Sequence, residues 1–392
     1  MTFIDLFLKH TQTYESPSSF WRWSAYSTLA AILRDSCYRR LGQFKLYPNI
    51  YVLLLAPSAQ DRKGFPIVLC EKLVKAINNT KLISGRSSIQ GILDELALGE
   101  TDKMTGKLIQ GGSAICAAQE LSAGLVNDPE AIKILTDIYD WKEEYKSILR
   151  SGRFQIKHIC FTMLSASNEE LLRDFYTSSA IYGGLLGRTF LVRPNEFRPS
   201  NSLWDLRDGA ESYMEMVEAL RKISNLHGEF EIHPAAQKFY NDWYIPFREE
   251  SYGKSDKSGI LGRIHTSIIK LAMLLCVNET CALEIQTEHI ESAITQCMDL
   301  IPNYQSLIMS QGKSTDAEMI AQLIETIWKN KDKKITKQDF LSKFFHAYDL
   351  ETVDRGVQKM KEANLITESL NGSQIVWMLT PKCVEIFNLK DK

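Results

Sequence analysis

The stretch IYVLLLAPSAQDRKG, residues 50–64, decides the fold predicted for this chain. Its first six residues are apolar and indicate a buried strand, and Lys63 lies in the polar turn that follows. The turn leads into an apolar pattern with helical spacing over residues 67–77. Free N–H groups at a helix N-terminus favour an anion, and a lysine beside them can reach terminal phosphates. The stretch therefore predicts an α/β fold with a phosphate-binding turn.

The turn departs from the common nucleotide-binding pattern, G-x-x-x-x-G-K-[ST]. Arg62 stands where the pattern has its second glycine, and Gly64 stands where it has the hydroxyl that binds magnesium. The predicted nucleotide-binding residues are Ser58, Arg62, Lys63 and Gly64, with Lys63 on the β- and γ-phosphates. An alternative interpretation is a polar connection between strand and helix that contains an unrelated lysine.

Two further apolar runs end in polar residues and are predicted to be strands of the same sheet. Residues 113–118 lead to Glu120, and residues 159–164 lead to Ser167 and Asn168. Ligand crevices in open α/β sheets lie outside the carboxyl ends of the strands. Glu120 is therefore predicted to orient or activate the attacking water, and Ser167 or Asn168 to contact the γ-phosphate. The alternatives are a helix N-terminal acid for Glu120 and a helix cap for Asn168.

A fourth apolar run, residues 189–192, follows the segment Gly183-Gly184-Leu185-Leu186-Gly187-Arg188. Arg188 lies where a ring-forming ATPase presents an arginine finger to its neighbour. This position predicts a catalytic role for Arg188 across a subunit interface.

Together these segments resemble the P-loop replicative helicase-like proteins of phages, plasmids and integrative elements, which are often encoded with or fused to a primase. The resemblance covers about the first half of the chain. It rests on Tyr47-Pro48-Asn49, the turn at 56–64, Glu120, the segment 165–172 and the segment 183–188. It implies a RecA-like or AAA+-like P-loop ATPase core, ATP and Mg²⁺ as cofactors, and a homo-oligomeric ring such as a hexamer. The implied function is that of a DNA helicase or DNA-dependent ATPase in the replication of a mobile element.

Relatives commonly carry a hydroxyl residue after the lysine and a fuller acidic pair at the second motif, whereas this chain has Gly64 and Gln119. These departures favour a second interpretation, a non-catalytic replication initiator or adaptor with a degenerate P-loop core. A third interpretation is a winged-helix transcription regulator with a ligand-binding core.

The contacts with nucleic acid are predicted to be local, because the formal net charge is −2. Two short strand-like runs around a Ser-Gly turn, residues 145–157, carry the basic residues Lys146, Arg150, Arg153 and Lys157. In a ring, such a hairpin lines the central channel and follows the phosphate backbone of single-stranded DNA. The alternative is a solvated surface hairpin.

The pattern divides the chain into a helical segment at 1–45, the ATPase core at 46–204, a helical region at 205–312 and a winged-helix domain at 313–392. Aromatic residues of the first segment, including Trp21 and Trp23, recur at helical spacing and are predicted to pack on the core. Ser87-Ser88-Ile89-Gln90 is predicted to form a capping box that opens a crossover helix. Arg263 has two interpretations, a second nucleotide sensor or an exposed helix residue.

The winged-helix prediction rests on three helices, at about 316–328, 336–346 and 350–362, and on the hairpin signal Asn371-Gly372. If this domain binds duplex DNA, its third helix places Thr352, Arg355, Gln358 and Lys359 in the major groove, and Lys333, Lys334 and Lys337 contact phosphates. Acidic residues roughly balance the basic ones here, so docking on a protein is the alternative.

Composition agrees with a protein of the cell interior. A chain of 392 residues with 44% apolar and 24% charged residues is ordinary for a globular protein of two or three domains. No segment is expected to span a membrane, and the N-terminus lacks the pattern of an export signal. The eight cysteines include no C-x-x-C pair and are expected to be reduced core residues, neither disulfides nor metal ligands. The predicted location is the cytoplasm.

Overall fold

The computed structural model describes residues 1–57, 60–85, 87–98, 100–101, 108–109, 112–120, 125, 128–140, 142, 144–149, 152–168, 172, 184–198, 210–253, 256, 258–311, 315–372 and 374–386. The chain divides into two compact units, Met1–Ile308 and Met309–Lys392. The sequence pattern places the start of the last domain a few residues later, at 313.

The helices that begin in the first unit are α1 Phe3–His10, α2 Ser18–Leu33, α3 Gly64–Ile77, α4 Ile89–Ala97, α5 Pro129–Tyr139, α6 Ala210–Ser224, α7 Pro234–Ser251, α8 Ile260–Thr280, α9 Thr287–Asp299 and α10 Ile301–Gln311. Its strands are β1 Cys37–Leu41, β2 Phe44–Leu46, β3 Tyr51–Leu55, β4 Lys81–Ser84, β5 Glu100–Thr101, β6 Leu108–Ile109, β7 Ser113–Ala118, β8 Glu144–Leu149, β9 Gly152–Lys157, β10 Cys160–Ser167, β11 Thr189–Val192, β12 Gly228–Glu229, β13 Glu231–Ile232 and β14 Glu284–Ile285.

The centre of the first unit is a parallel sheet in the order β11-β3-β10-β7-β4. Every residue of β3, β7, β10 and β11 is buried, which is the pattern of strands covered on both faces. Helices α3, α4 and α5 lie between successive strands along the chain, as parallel pairing requires. The prediction of an α/β core is confirmed at this level.

Helix α3 begins at Gly64, immediately after Lys63, and its apolar residues recur at helical spacing. Pro66 lies in the first turn, where its missing N–H needs no partner. The helix ends at Asn78, which adopts a left-handed φ of 54° and donates its N–H to the carbonyl of Val74 at 2.9 Å. The helix predicted over 67–77 is confirmed and starts one turn earlier.

Helix α4 confirms the predicted crossover helix but corrects its start. The hydroxyl of Ser88 accepts the N–H of Gly91 at 3.2 Å, so Ser88 is the N-cap. The capping box predicted from Ser87 and Gln90 is therefore wrong by one position. Gln90 is an ordinary residue of the first turn, and its side-chain amide lies 3.5 Å from the carboxylate of Asp94.

The aromatic residues of the N-terminal segment lie in the core, as predicted, with Trp21 and Trp23 at 1% and 4% exposure.

Among the described residues, α8 has the length and composition of a membrane span, with a mean hydropathy of 1.7, contrary to the expectation that no segment does. Most of this helix is buried within the first unit, which is consistent with a soluble protein. Seven of the eight cysteines are buried, as predicted for core residues, whereas Cys281 is exposed.

The second unit contains α11 Thr315–Lys329, β15 Lys334–Thr336, α12 Lys337–Phe344, α13 Leu350–Glu362, β16 Ile366–Asn371, β17 Gln374–Leu379 and α14 Pro381–Ile386. Its antiparallel sheet has the order β15-β17-β16. The helices and the hairpin predicted here are present. Asn371 pairs with Gln374, so the hairpin turn begins at Gly372 and not at Asn371.

Candidate nucleotide site

The carboxyl ends of the three central strands meet at one edge of the sheet. Leu55 of β3 lies beside Ser167 of β10, and Ser165 of β10 lies beside Ala118 of β7. Beyond the last pair, the N–H of Ala56 donates to the carbonyl of Ser167 at 3.4 Å. The segments singled out in the sequence at 56–64, 119–120 and 167–168 therefore follow neighbouring strands on the same side of the sheet. This is where open parallel sheets bind ligands.

Lys63 folds back on its own turn. Its Nζ donates to the carbonyl oxygens of Ala56 and of Pro57, the latter at 3.1 Å. Partial burial lowers the pKa of Lys63, while the negative charges of Asp61 and Glu120 act in the opposite direction. The ammonium group is thus held at the N-terminus of α3 by neutral acceptors, which an anionic ligand can replace.

Arg62 joins the turn to the N-terminal segment. Its φ is +45°, a left-handed conformation that glycine adopts without strain, and this accounts for the glycine of the common pattern. Its Nε donates to Oε2 of Glu15 at 3.0 Å, and its carbonyl accepts the hydroxyl of Ser16 at 3.1 Å. The predicted phosphate contact of Arg62 is therefore replaced, in this conformation, by an ion pair with Glu15. Ser58 lies outside the described residues.

Gly64 and Gln119 are in close contact across the site. A Cβ atom at residue 64 would lie 3.0 Å from Oε1 of Gln119 and 3.3 Å from its Cδ. The residue that replaces the aspartate thus borders the space that a side chain at residue 64 would occupy. Sequence reasoning treats the two departures separately, because they are far apart in the chain.

Glu120 is exposed beside Gln119, where its carboxylate is open to solvent. Ser167 is 5% exposed, and its hydroxyl donates to the carbonyl of Asn168 at 3.3 Å. The carbonyl of Asn168 accepts the N–H of Leu172 at 3.1 Å, which is the backbone bond expected where a helix starts. Glu120 is therefore the more accessible of the predicted catalytic groups.

Arg188 is buried in its own chain, at 6% exposure. It lies in a short 3-10 turn, Leu186–Arg188, that precedes β11. Its guanidinium donates to the carboxylate of Asp140 and, at 3.0 Å, to the carbonyl of Gly184. Arg263 of α8 lies 4.0 Å from the same carboxylate, and burial together with the charge of Arg188 lowers the pKa of Arg263. Two arginines therefore share one half-exposed carboxylate.

The 3-10 turn is pressed against the start of α8. A Cβ atom on Gly187 would lie 2.7 Å from the carbonyl oxygen of Gly259, a distance that no side chain tolerates. Gly187 is therefore required for packing, and this contact accounts for one glycine of the segment before Arg188.

A buried lysine near this cluster was not found by sequence reasoning. Lys270 is 2% exposed, and its Nζ donates to the backbone carbonyl of Asn49 at 2.9 Å and to its side-chain oxygen at 2.8 Å. The Nζ also lies 3.7 Å from the ring centroid of Tyr139, whose buried hydroxyl has no hydrogen-bond partner within the described structure. Burial lowers the pKa of Lys270 to about 7. The available signal was a single lysine within the apolar pattern of residues 260–277.

The predicted DNA-binding hairpin exists as the antiparallel pair β8 and β9. Lys146 and Lys157 are exposed on it, and Lys146 pairs with Glu144 at 2.7 Å. Arg150 lies outside the described residues, and Arg153 is placed only as a residue of β9, opposite Ile148. Of the four predicted basic residues, the structure thus describes the side chains of Lys146 and Lys157.

The third helix of the second unit, α13, directs its basic residues to a carboxylate of the same unit. Arg355 donates from Nε and Nη2 to Asp316 at 2.7 to 2.9 Å, and Nζ of Lys359 lies 2.6 Å from the same carboxylate. Gln358 bonds to Glu362 at 3.0 Å, and Thr352 is buried. Arg355 and Lys359 remain about half exposed, so one face of each group is open to a ligand.

A cavity of about 680 Å³ lies beside the Lys63 turn. Its walls come from α1, α2, α3, α6 and the segment between α1 and α2. The rings of Tyr14 and Phe65 meet edge to face with centroids 5.8 Å apart. Trp21, Leu69 and Tyr213 also line it. The volume is within the range of small-molecule sites. The cavity is large enough for the base and ribose of a nucleotide.

The oxygen donors at the predicted nucleotide site are of the kind that Mg²⁺ binds. Mg²⁺ is usually held by one or two protein oxygens together with phosphates and water. The amide oxygen of Gln119 lies beside the start of α3, and the exposed carboxylate of Glu120 is close enough to Lys63 to raise the pKa of that lysine. Within the described residues no group of three His, Cys, Asp or Glu side chains could hold a metal by itself.

No protein-family model matches this sequence, and a search of curated proteins gives no significant match.

Proposed function

We propose that this chain is an ATP-dependent DNA helicase or DNA-dependent ATPase that acts in the replication of a mobile genetic element. The supporting observation is the convergence of the Lys63 turn, Glu120 and Ser167 at one edge of a parallel sheet. A lysine at a helix N-terminus can bind phosphates, and a carboxylate open to water can orient the attacking water, as in enzymes that transfer phosphoryl groups. On this proposal the core is RecA-like or AAA+-like, and the protein works in the cytoplasm.

The proposed roles follow from the positions of the side chains. Lys63 exchanges the carbonyls of Ala56 and Pro57 for the β- and γ-phosphates, whose negative charge opposes the lowering of its pKa by burial. Glu120 orients the attacking water, and Ser167 or Asn168 contacts the γ-phosphate. Mg²⁺, when bound, would neutralise charge on the phosphates.

Arg188 retains its proposed role across a subunit interface with one condition. It must exchange Asp140 for the phosphate of a neighbouring subunit, because the ion pair with Asp140 occupies it within its own chain. Arg263 shares that carboxylate and is 38% exposed, so it can take over the pairing with Asp140. The proposal includes a homo-oligomeric ring, such as a hexamer.

The proposed DNA contacts are the hairpin and the second unit. Lys146, Arg150, Arg153 and Lys157 would follow single-stranded DNA in the ring channel. The order of helix, strand, two helices and hairpin in the second unit supports a winged helix, with Arg355 and Lys359 near duplex DNA. A primase or another replication protein is the proposed partner.

The test is ATP hydrolysis by the purified protein with and without single-stranded DNA, beside Lys63→Ala. The proposal expects turnover that DNA stimulates and that the variant lacks. Lys75→Ala is the matched control, because Lys75 is exposed on the same helix and away from the turn. Turnover that persists in Lys63→Ala would contradict the assignment of the site.

A second candidate function is a non-catalytic replication initiator or adaptor. It is favoured by Gly64 and Gln119, which replace the hydroxyl and the aspartate of the active pattern. Nucleotide binding and DNA binding without turnover would support this function over the first.

A further inference from the structure

The contact between Gly64 and Gln119 links two departures from the nucleotide-binding pattern. The oxygen of the Gln119 side chain lies 3.0 Å from where a Cβ of residue 64 would be. In the common pattern that Cβ carries a hydroxyl which binds magnesium. Here an amide oxygen from another strand already lies at the edge of that space.

Helix α3 packs on β7, so a residue that directly follows β7 lies within reach of the start of α3. Gln119 follows β7, and its side chain is one methylene longer than that of an acidic Asp or of Asn. Its amide oxygen lies beside the start of α3, so a side chain at residue 64 would have to displace this amide.

We infer that Gln119 provides, through its amide oxygen, the neutral oxygen ligand for Mg²⁺ that a serine or threonine at residue 64 would otherwise provide. The inference rests on the proposed function, since it concerns the metal that accompanies the nucleotide. A carbonyl oxygen suits Mg²⁺, and Glu120 next to it contributes the negative charge. Gly64 is then the residue that makes room for the replacement, and Gln119 is a direct ligand of the metal.

The experiment measures the Kd of ATP by equilibrium titration, once with Mg²⁺ and once with a chelator. The ratio of the Kd with chelator to the Kd with Mg²⁺ reports how much the metal strengthens ATP binding. Gln119→Ala is expected to reduce this ratio about tenfold, the lower end for losing a group that supports a bound metal, with little change in the chelated state. Gln119→Asn retains the amide but lacks the reach, so it should behave like Gln119→Ala.

The double variant Gly64→Ser with Gln119→Ala makes the test specific. Gly64→Ser alone should weaken binding in both conditions, because its Cβ and hydroxyl meet the Gln119 amide. In the double variant the serine has room and supplies an oxygen, so the ratio should return to within a few fold of the wild-type value. Gly64→Ala is the alternative variant if Gly64→Ser does not fold. It adds the Cβ without the hydroxyl, so the double variant Gly64→Ala with Gln119→Ala should not restore the ratio.

The outcomes separate this inference from the proposed function. If the wild-type protein binds ATP through Lys63 but the ratio is unchanged in Gln119→Ala, Gln119 only fills space and the inference is wrong. The inference is also wrong if the ratio in the double variant Gly64→Ser with Gln119→Ala is no higher than in Gln119→Ala. If the wild-type protein binds no ATP in either condition, the proposed function itself is wrong.

Discussion

Replacing Lys270 by methionine tests how a buried cation affects the stability of the first unit. Lys270 lies on α8 within the apolar core, with Asn49 and the ring of Tyr139 around its ammonium group. Methionine has a similar length and no charge, and it adapts to irregular spaces in a core. Lys270→Met therefore removes the charge with little change in volume.

The pH dependence follows from the pKa of about 7, which burial lowers from 10.5. Below pH 7 the lysine is protonated in both states, and folding bears the full cost of burying the charge, roughly 5 kcal/mol at 1.4 kcal/mol for each pKa unit. Between pH 7 and 10.5 only the unfolded chain holds the proton, so stability rises with pH, and above 10.5 the cost is absent. The oxygens of Asn49 and the ring of Tyr139 favour the cation, so this cost is an upper limit.

The variant is expected to be more stable than the wild type near pH 6, by about 1 to 3 kcal/mol once the lost hydrogen bonds to Asn49 are counted. The difference in free energy of unfolding between Lys270→Met and the wild type should fall by up to about 3 kcal/mol between pH 6 and pH 9. Urea denaturation at several pH values measures both quantities. Lys75→Met, at an exposed site on α3, is the control and should show no such change. A difference between Lys270→Met and wild type that is constant with pH would refute the reasoning.

Three further predictions concern the cavity, the second unit and the subunit interface. Phe65→Ala should weaken ATP binding about tenfold and leave the affinity for inorganic tripolyphosphate unchanged in titrations, because only the base stacks in the cavity; equal losses for both ligands would refute this. Hydrogen bonds from Arg355 and then Lys359 hold the pKa of Asp316 well below its usual range. Asp316→Asn should therefore melt at a lower temperature at neutral pH, with the difference shrinking as acid protonates Asp316. Mixing Arg188→Ala with Lys63→Ala should restore ATPase activity if both act at one interface; no recovery under subunit exchange would leave the finger role unsupported.

The sequence determined the local elements because their signal is carried by neighbouring residues. The strand predicted at 113–118 is β7, and the strand predicted at 50–55 is β3 apart from its first residue. The prediction for 159–164 stopped too early, because β10 continues to Ser167. Those last residues are small and include two serines, yet pairing with Leu53, Leu54 and Leu55 of β3 keeps them in the sheet. Tertiary pairing therefore overrode the local polarity.

The candidate site was predicted as a set of positions, and only the tertiary structure decided their partners. Lys63 and Glu120 follow strands and Ser167 ends one, so the rule for parallel sheets brought them together from sequence alone. The pairing of Arg188 with Asp140, the bond of Lys270 to Asn49 and the contact of Gln119 with Gly64 carry no such local signal. Side chains distant in sequence meet only after strand order and helix packing are fixed, because these set which surfaces come within hydrogen-bonding distance.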